Sequence, residues 1–94
     1  MQIEGKRVLV TGASRGLGRT LAFAFAEAGA SEVLAGTRKE EDRNNLRTEA
    51  ANIGANITPV QLDITSDEDV AAVATLGPID ILVNNAGVAV TAIQ

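Results

Sequence analysis

The most informative stretch of this sequence is Thr11-Gly12-Ala13-Ser14-Arg15-Gly16-Leu17-Gly18. Val8-Leu9-Val10 precedes it and is typical of a short strand that is buried on both faces. Residues 17–28 follow it as a helix-prone segment, and Gly29 stands where a glycine commonly ends a helix. A glycine-rich turn between a buried strand and a helix indicates a place where backbone N–H groups hold phosphate.

The helix after this turn is apolar almost all round, which predicts that it is buried. Its expected apolar stripe is Leu17, Leu21, Ala24, Phe25 and Ala28. Residues 33–35 predict a second strand. A charged segment from Lys39 follows, in which Leu46, Ala50 and Ile53 recur at helical spacing before Gly54, and this pattern predicts an amphipathic second helix.

Two further strands and a short helix complete the pattern. Residues 57–62 predict a third strand, in which Pro59 is tolerated near the strand start or at a sheet edge. Ser66 is expected to cap the third helix, with Asp69 as the carboxylate of a capping box and Val70, Val73 and Ala74 on one face. Residues 79–83 predict the fourth strand.

This alternation predicts an α/β protein of the Rossmann type. We expect a doubly wound parallel sheet with strand order 3-2-1-4 and three helices, the first two on one face and the third on the other. Residues 1–94 are read as a single, partial NAD(P)-binding domain that stops after the fourth strand. The edge of that strand is then expected to be open and apolar, which predicts marginal stability or self-association.

Composition excludes several classes of function. The 94 residues carry 8 basic and 12 acidic side chains, a net charge of −4, which argues against a nucleic acid or an anionic membrane surface as the main partner. The sequence has no Cys and no His, so thiolate chemistry, imidazole bases and the usual zinc or haem ligand sets are excluded, and no metal is expected. Without a signal peptide pattern, a cytoplasmic protein is the expectation.

The glycines have distinct expected roles in holding a pyrophosphate. Gly12 permits the tight turn out of the strand, Gly16 permits close approach of the phosphate, and Gly18 permits packing of helix against strand. Ser14 and Arg15 can add a hydroxyl and a cation. The alternative is a turn that is rich in glycine for conformational reasons alone.

Three motifs together resemble the short-chain dehydrogenase/reductase family. They are the glycine stretch with its Gly-x-x-x-Gly-x-Gly spacing, Asp63 after the third strand, and Asn84-Asn85-Ala86-Gly87 after the fourth. The resemblance covers essentially the whole chain. It implies that the Asp63 carboxylate and the Ile64 backbone hold the adenine, that Asn84 faces the adenosine ribose, and that residues 85–87 brace the strand end.

The residues near the second strand favour NADP(H) over NAD(H). Many dinucleotide folds place there an acidic residue that binds the ribose hydroxyls and would repel a 2′-phosphate, and this chain has Thr37 instead. Arg38 and Arg15 could pair with the phosphate. Alternatively, Arg38 only begins a solvated charged segment. The candidate cofactor-binding residues are Gly12, Ser14, Arg15, Gly16, Leu17, Gly18, Thr37, Arg38, Asp63, Ile64, Asn84, Ala86 and Gly87.

The resemblance implies an oxidoreductase that moves a hydride between nicotinamide and a carbonyl or alcohol, with a small-molecule substrate. Family members use a Tyr, a Lys three positions away and a Ser. This chain has no Tyr, so no catalytic residue is assigned and the 94 residues alone are expected to be inactive. Two alternatives stay open: a nucleotide-binding module without turnover, and a structural unit that pairs through the open edge of strand 4. A homo-oligomer also stays open.

Overall fold

The computed structural model describes residues 2–85 in full and residues 89–92 by their backbone. The strands are β1 (Arg7–Val10), β2 (Glu32–Thr37), β3 (Ile57–Gln61), β4 (Ile81–Asn84) and β5 (Ala89–Ala92), and the helices are α1 (Gly16–Glu27), α2 (Glu40–Ile53) and α3 (Asp67–Ala74). The first four strands are parallel in the order β3-β2-β1-β4. The predicted doubly wound α/β fold with three helices is confirmed. Among the described helices, none has the length and apolar character needed to span a membrane.

Alternation along the strands separates two apolar layers, one on each face of the sheet. Residues from β1 to β4 pack on one face with α1 and α2: Val8, Val10, Ala22, Val33, Ala35, Leu46, Ala50, Ile57, Ile81 and Val83. The alternate strand residues pack on the other face with α3: Leu9, Leu34, Leu62 and Val73. The helices therefore cover the faces that the sequence predicts.

The apolar faces of the helices differ in part from expectation. Helix α1 buries Gly18 and Ala22, while Leu17 is half exposed and Ala24 and Ala28 are exposed. Leu21 and Phe25 of the expected stripe are partly buried against the core, as is Phe23, which lies outside the stripe. A helix that is apolar nearly all round does not specify which side meets the sheet. Helix α2 buries Leu46 and Ala50 as predicted.

Three further residues that were expected on buried helix faces, one in α2 and two in α3, are exposed. Ile53 is 65% exposed, because α2 ends there and Gly54, in the left-handed conformation, turns the chain toward β3. In α3 only Val73 is buried, since eight residues place a single turn against the sheet, and Val70 and Ala74 are exposed.

The start of α3 departs from the predicted capping box. The Asp69 N–H donates to the Ser66 hydroxyl at 3.2 Å, which confirms the cap. The Asp69 carboxylate, however, accepts the N–H of Asp63 at 2.9 Å. The Ser66 N–H donates instead to the Asp63 carbonyl at 2.9 Å, so the carboxylate reaches three residues further back than in a capping box.

The prediction that the edge of the fourth strand is open is wrong. Strand β5 pairs antiparallel with β4, with Ile81 opposite Ala92 and Val83 opposite Val90. An apolar strand edge leaves backbone N–H and C=O groups unpaired, and the short Ala-Val-Thr-Ala segment satisfies them. Pro59 lies in β3, which forms the other edge of the sheet, as its lack of an N–H requires.

A polar network joins the first four strands near their amino ends. The Arg7 guanidinium donates to Glu32 at 2.9 Å and to the Pro78 carbonyl at 3.2 Å. The other Glu32 oxygen accepts the Thr58 hydroxyl at 2.7 Å, and the Arg7 N–H donates to Asp80 at 2.9 Å. The hydrogen bond from Thr58 and then that from Arg7 hold the pKa of Glu32 below its ordinary value of 4.5.

Glu32→Gln should therefore lower stability in a pH-dependent way. A depressed carboxyl pKa stabilises the fold above pH 4.5, and this contribution is lost as pH falls through the folded pKa. Since the pair is partly exposed to solvent, we expect the free energy of unfolding, measured with urea, to fall by about 0.5 kcal/mol at pH 7 and by less at pH 3. Glu27→Gln, at an exposed position on α1, should show no loss at pH 7; an equal loss at both pH values for Glu32→Gln would contradict the prediction.

Candidate functional site

A cavity of about 550 Å³ opens at the carboxyl ends of the parallel strands. The segments that follow β1, β2 and β3 form its wall, and one residue after β4 completes it. Its lining residues are Thr11, Gly12, Ser14, Arg15, Gly16, Leu17, Gly36, Thr37, Arg38, Leu62, Asp63, Ile64, Thr65 and Asn85. In open α/β sheets, ligands bind outside the carboxyl ends of the strands, so this cavity is the candidate site.

The glycine turn is shaped by one close contact and by two left-handed residues. A Cβ on Gly18 would lie 2.2 Å from the carbonyl oxygen of Gly12, so only glycine lets α1 begin against the turn. Gly12 and Gly16 have φ of 62° and 61°. A Cβ on Gly16 would meet nothing within 4 Å, which leaves that side of the backbone open at the cavity.

The positive end of the α1 helix dipole is not neutralised by an acidic side chain in the first turn of the helix. Its N-cap residue Arg15 is extended and makes no side-chain cap, and its first turn has no acidic residue. Helices α2 and α3 each carry three acidic residues in the first turn. An anion at the start of α1 would meet free backbone N–H groups without competition from a carboxylate of that turn.

Thr11 and Asn85 connect the glycine turn to the end of β4. The Asn85 N–H donates to the Thr11 hydroxyl at 3.0 Å, and the Asn85 amide nitrogen donates to the Gly12 carbonyl at 3.2 Å. The Thr11 N–H donates to the Val83 carbonyl at 3.0 Å. These bonds fix the position of the glycine turn relative to the end of β4.

The rim of the cavity on the β2 side carries two cations. Arg15 and Arg38 both line the cavity and are exposed to solvent. Thr37 is 1% exposed, and its hydroxyl donates to the Lys39 carbonyl at 3.3 Å. The charged groups at this rim are therefore the two guanidinium groups, with no carboxylate at position 37.

Asp63, which follows the neighbouring strand β3, supplies the carboxylate among the lining residues of the cavity. Its Oδ1 accepts the Thr65 hydroxyl at 2.6 Å and the Thr65 N–H at 2.9 Å. These two bonds lower the pKa of Asp63 below 3.8, with a smaller contribution from the positive charge of Arg38. The group is thus ionised at neutral pH and can only accept hydrogen bonds.

The structure brings together most of the predicted residues. Nine of them line the cavity: Gly12, Ser14, Arg15, Gly16, Leu17, Thr37, Arg38, Asp63 and Ile64. Gly18 lies behind the turn, against the Gly12 carbonyl. Asn84 lines a separate apolar cavity of about 220 Å³ on the α3 face. Ala86 and Gly87 lie outside the described residues.

Sequence reasoning left five lining residues out of the site: Thr11, Gly36, Leu62, Thr65 and Asn85. Each lies within two positions of a predicted one along the chain, but which of two neighbours faces the cavity depends on the strand's orientation. Of these five residues, only Gly36 has a sequence feature that could have placed it in the site. A glycine inside a strand indicates close approach, and a Cβ there would lie 3.0 Å from a Leu62 methyl carbon.

Gly18→Ala should destabilise the fold. The new methyl group meets a backbone oxygen that cannot rotate away, so α1 must shift, and overpacking of this kind costs about 1–3 kcal/mol. Urea unfolding measures the loss. Thr20→Ala, at an exposed position of the same helix, is the matched control and should cost nothing. Equal stability of Gly18→Ala and the unsubstituted chain would contradict the close contact.

Comparison with known proteins tests the resemblance. The model of the short chain dehydrogenase family matches residues 6–94. The chain belongs to the short-chain dehydrogenase family. A similar family member is the short chain dehydrogenase tazN of Aspergillus terreus, 43% identical over 96 residues that cover 94% of this chain and 21% of that protein. The chain spans about a fifth to a third of the length of the curated family members it matches.

Solved structures of the family share the fold. A short chain dehydrogenase from Burkholderia cenocepacia in complex with NADP has a TM-score of 0.75 and 44% identity, covering 90% of this chain and 33% of that one. A 7 alpha-hydroxysteroid dehydrogenase complexed with NADH and a 7-oxo bile acid has a TM-score of 0.76 and 33% identity, covering 88% and 34%. Family members of known structure thus occur with either cofactor.

Proposed function

We propose that this chain supplies the NADP(H)-binding part of a short-chain dehydrogenase/reductase. In the complete protein, a hydride would pass between the cofactor and a small carbonyl or alcohol substrate. The observation that carries the proposal is the α1 amino end, free of acidic side chains, which opens on a 550 Å³ cavity beside Gly16. We also propose a cytoplasmic location.

The residues present fit a dinucleotide. The first turn of α1, Ser14 and the open side of Gly16 would hold the pyrophosphate, because they offer N–H and hydroxyl donors at a positive helix end. Asp63 would accept a hydrogen bond from the amino group of the adenine, and the exposed Ile64 would lie against its ring. When bound, the nicotinamide supplies or accepts the hydride.

The preference for NADP(H) over NAD(H) rests on charge at the β2 rim. Arg15 and Arg38 present two guanidinium groups to the cavity, and position 37 carries no carboxylate to repel a phosphate. The Burkholderia relative that is 44% identical was solved with NADP. We therefore propose that these two arginines bind the 2′-phosphate of the adenosine ribose.

The chain by itself would bind cofactor without turnover. It contains no Tyr, and therefore none of the Tyr-x-x-x-Lys motif that the family uses to move the proton. Since the family consists of dehydrogenases, the alternative of a nucleotide-binding module without catalytic activity is disfavoured. A structural unit that pairs through an open β4 edge is also disfavoured, because β5 occupies that edge.

Gly16→Ala tests the phosphate site, with Gly54→Ala as its matched control. Both glycines have nearly the same φ, 61° and 68°, and an added Cβ contacts nothing at either, so both variants carry the same strain of about 1–2 kcal/mol. Only Gly16 lines the cavity. We expect NADPH affinity by isothermal titration calorimetry to fall about tenfold or more in Gly16→Ala alone. Equal affinities in the two variants would count against the proposed phosphate site.

Arg38→Ala tests the choice of cofactor. We expect NADPH affinity to fall about tenfold while NADH affinity stays unchanged, since only NADPH has the charged 2′-phosphate. Arg47→Ala removes the same charge from the exposed surface of α2 and should change neither affinity. Tighter binding of NADH than of NADPH by the unsubstituted chain would overturn the preference.

A further inference from the structure

The segment between β3 and α3 has more internal hydrogen bonds than a simple connection requires. The Asp63 N–H donates to the Asp69 carboxylate at 2.9 Å, and the Asp63 carbonyl accepts the Ser66 N–H at 2.9 Å. The Asp63 Oδ1 is bound twice by Thr65. Both backbone groups of Asp63 and one side-chain oxygen are thus hydrogen-bonded to residues of this segment or of the first turn of α3.

This arrangement leaves one oxygen of Asp63 for a ligand. Among the described residues, every hydrogen bond to the carboxylate falls on Oδ1, and the residue lines the cavity. A carboxylate that is bound twice through one oxygen cannot rotate freely about its χ2 bond without breaking both contacts. The remaining oxygen, Oδ2, therefore keeps a defined position relative to the cavity.

Asp69 fixes the backbone from which this carboxylate projects. Residue 69 lies in the first turn of α3, and its carboxylate binds Asp63 while its own N–H is capped by Ser66 at 3.2 Å. The amino end of α3 is thereby tied to the last residue before the turn. Asp67, two residues earlier in the same turn, is exposed and has the same charge.

We propose that Thr65 and Asp69 are positioning residues of the dinucleotide site, which together hold Asp63 Oδ2 ready to accept a hydrogen bond from the base. Neither residue needs to touch the base for this role. The inference rests on the proposed function, because it assigns the acceptor a purine amino group as its donor. It predicts that both residues contribute to discrimination between bases and not only to stability.

The probe is a pair of dinucleotides that differ only in the base. NADPH carries an amino group on its purine, whereas its hypoxanthine analogue carries a carbonyl oxygen at the same place. An acceptor held at that place favours the amino form and repels the carbonyl. The ratio of the two dissociation constants therefore reports the position of Oδ2 and is insensitive to a uniform loss of folded protein.

Four variants give the expected pattern. Thr65→Val removes the hydroxyl with little change in shape. It should lower the preference for NADPH, measured as the dissociation constant of the hypoxanthine analogue divided by that of NADPH, about threefold to tenfold. Thr65→Ser keeps the hydroxyl and should keep the preference of the unsubstituted chain. Asp69→Ala should lower this preference as well. Asp67→Ala, which removes the same charge from the same turn, should leave the ratio unchanged. Circular dichroism on each variant measures the folded fraction.

The outcomes separate the inference from the function on which it rests. If the unsubstituted chain discriminates and both Thr65→Val and Asp69→Ala keep the full ratio, the positioning role is overturned and the proposed function stands. If Thr65→Val does not fold, Asp69→Ala against Asp67→Ala decides alone. If the unsubstituted chain binds neither dinucleotide, the proposed function fails and the inference fails with it.

Discussion

The structure depends on the close approach of Gly18 to the carbonyl oxygen of Gly12. Because no Cβ intervenes, α1 begins directly against the turn that leaves β1. The same carbonyl accepts the Asn85 amide, so the turn, the helix and the end of β4 meet at one oxygen atom. This contact fixes where the first turn of α1 points, and with it where an anion can be bound.

The two ends of the sheet differ in how their polar groups are used. At the amino ends, Arg7, Glu32 and Thr58 bind one another and close the network across neighbouring strands. At the carboxyl ends, the α1 N–H groups lack a capping side chain and the two rim arginines are exposed. Binding at an α/β sheet needs this asymmetry, since groups that are satisfied within the protein have no capacity left for a ligand.

The first four strands, the Ser66 cap and the glycine turn between β1 and α1 are predicted from the sequence because each has a local signal, and the strand order follows from the alternation of strands and helices. The glycine spacing, the alternation of apolar residues and the Ser66 cap are read within a few positions of the chain. What depends on three-dimensional placement is predicted less well. The side of α1 that meets the sheet is not specified by a helix that is apolar nearly all round. Strand β5 has only the four residues Ala-Val-Thr-Ala, a run too short to predict a strand by itself.

The site shows the same limit at the level of single residues. Asn84 is the last residue of β4 and lines the cavity on the α3 face, whereas Asn85 begins the turn after β4, hydrogen-bonds the glycine turn and lines the main cavity. A capping box would place the Asp69 carboxylate on the Ser66 N–H, and only the structure shows that it accepts the Asp63 N–H instead. Motifs therefore locate this site to within one or two residues, and the orientation of the backbone selects among them.

We propose that the glycine turn, the β2 rim and Asp63 form one dinucleotide site. Titration of the ¹⁵N-labelled chain with NADP⁺, followed by amide chemical shifts, tests it most directly. We expect the largest shifts at Gly16, Leu17, Arg38 and Ile64, which lie on three different segments of the cavity. An absence of shifts at saturating NADP⁺, or shifts confined to the α3-face residues Val70, Val73 and Leu82, would contradict it.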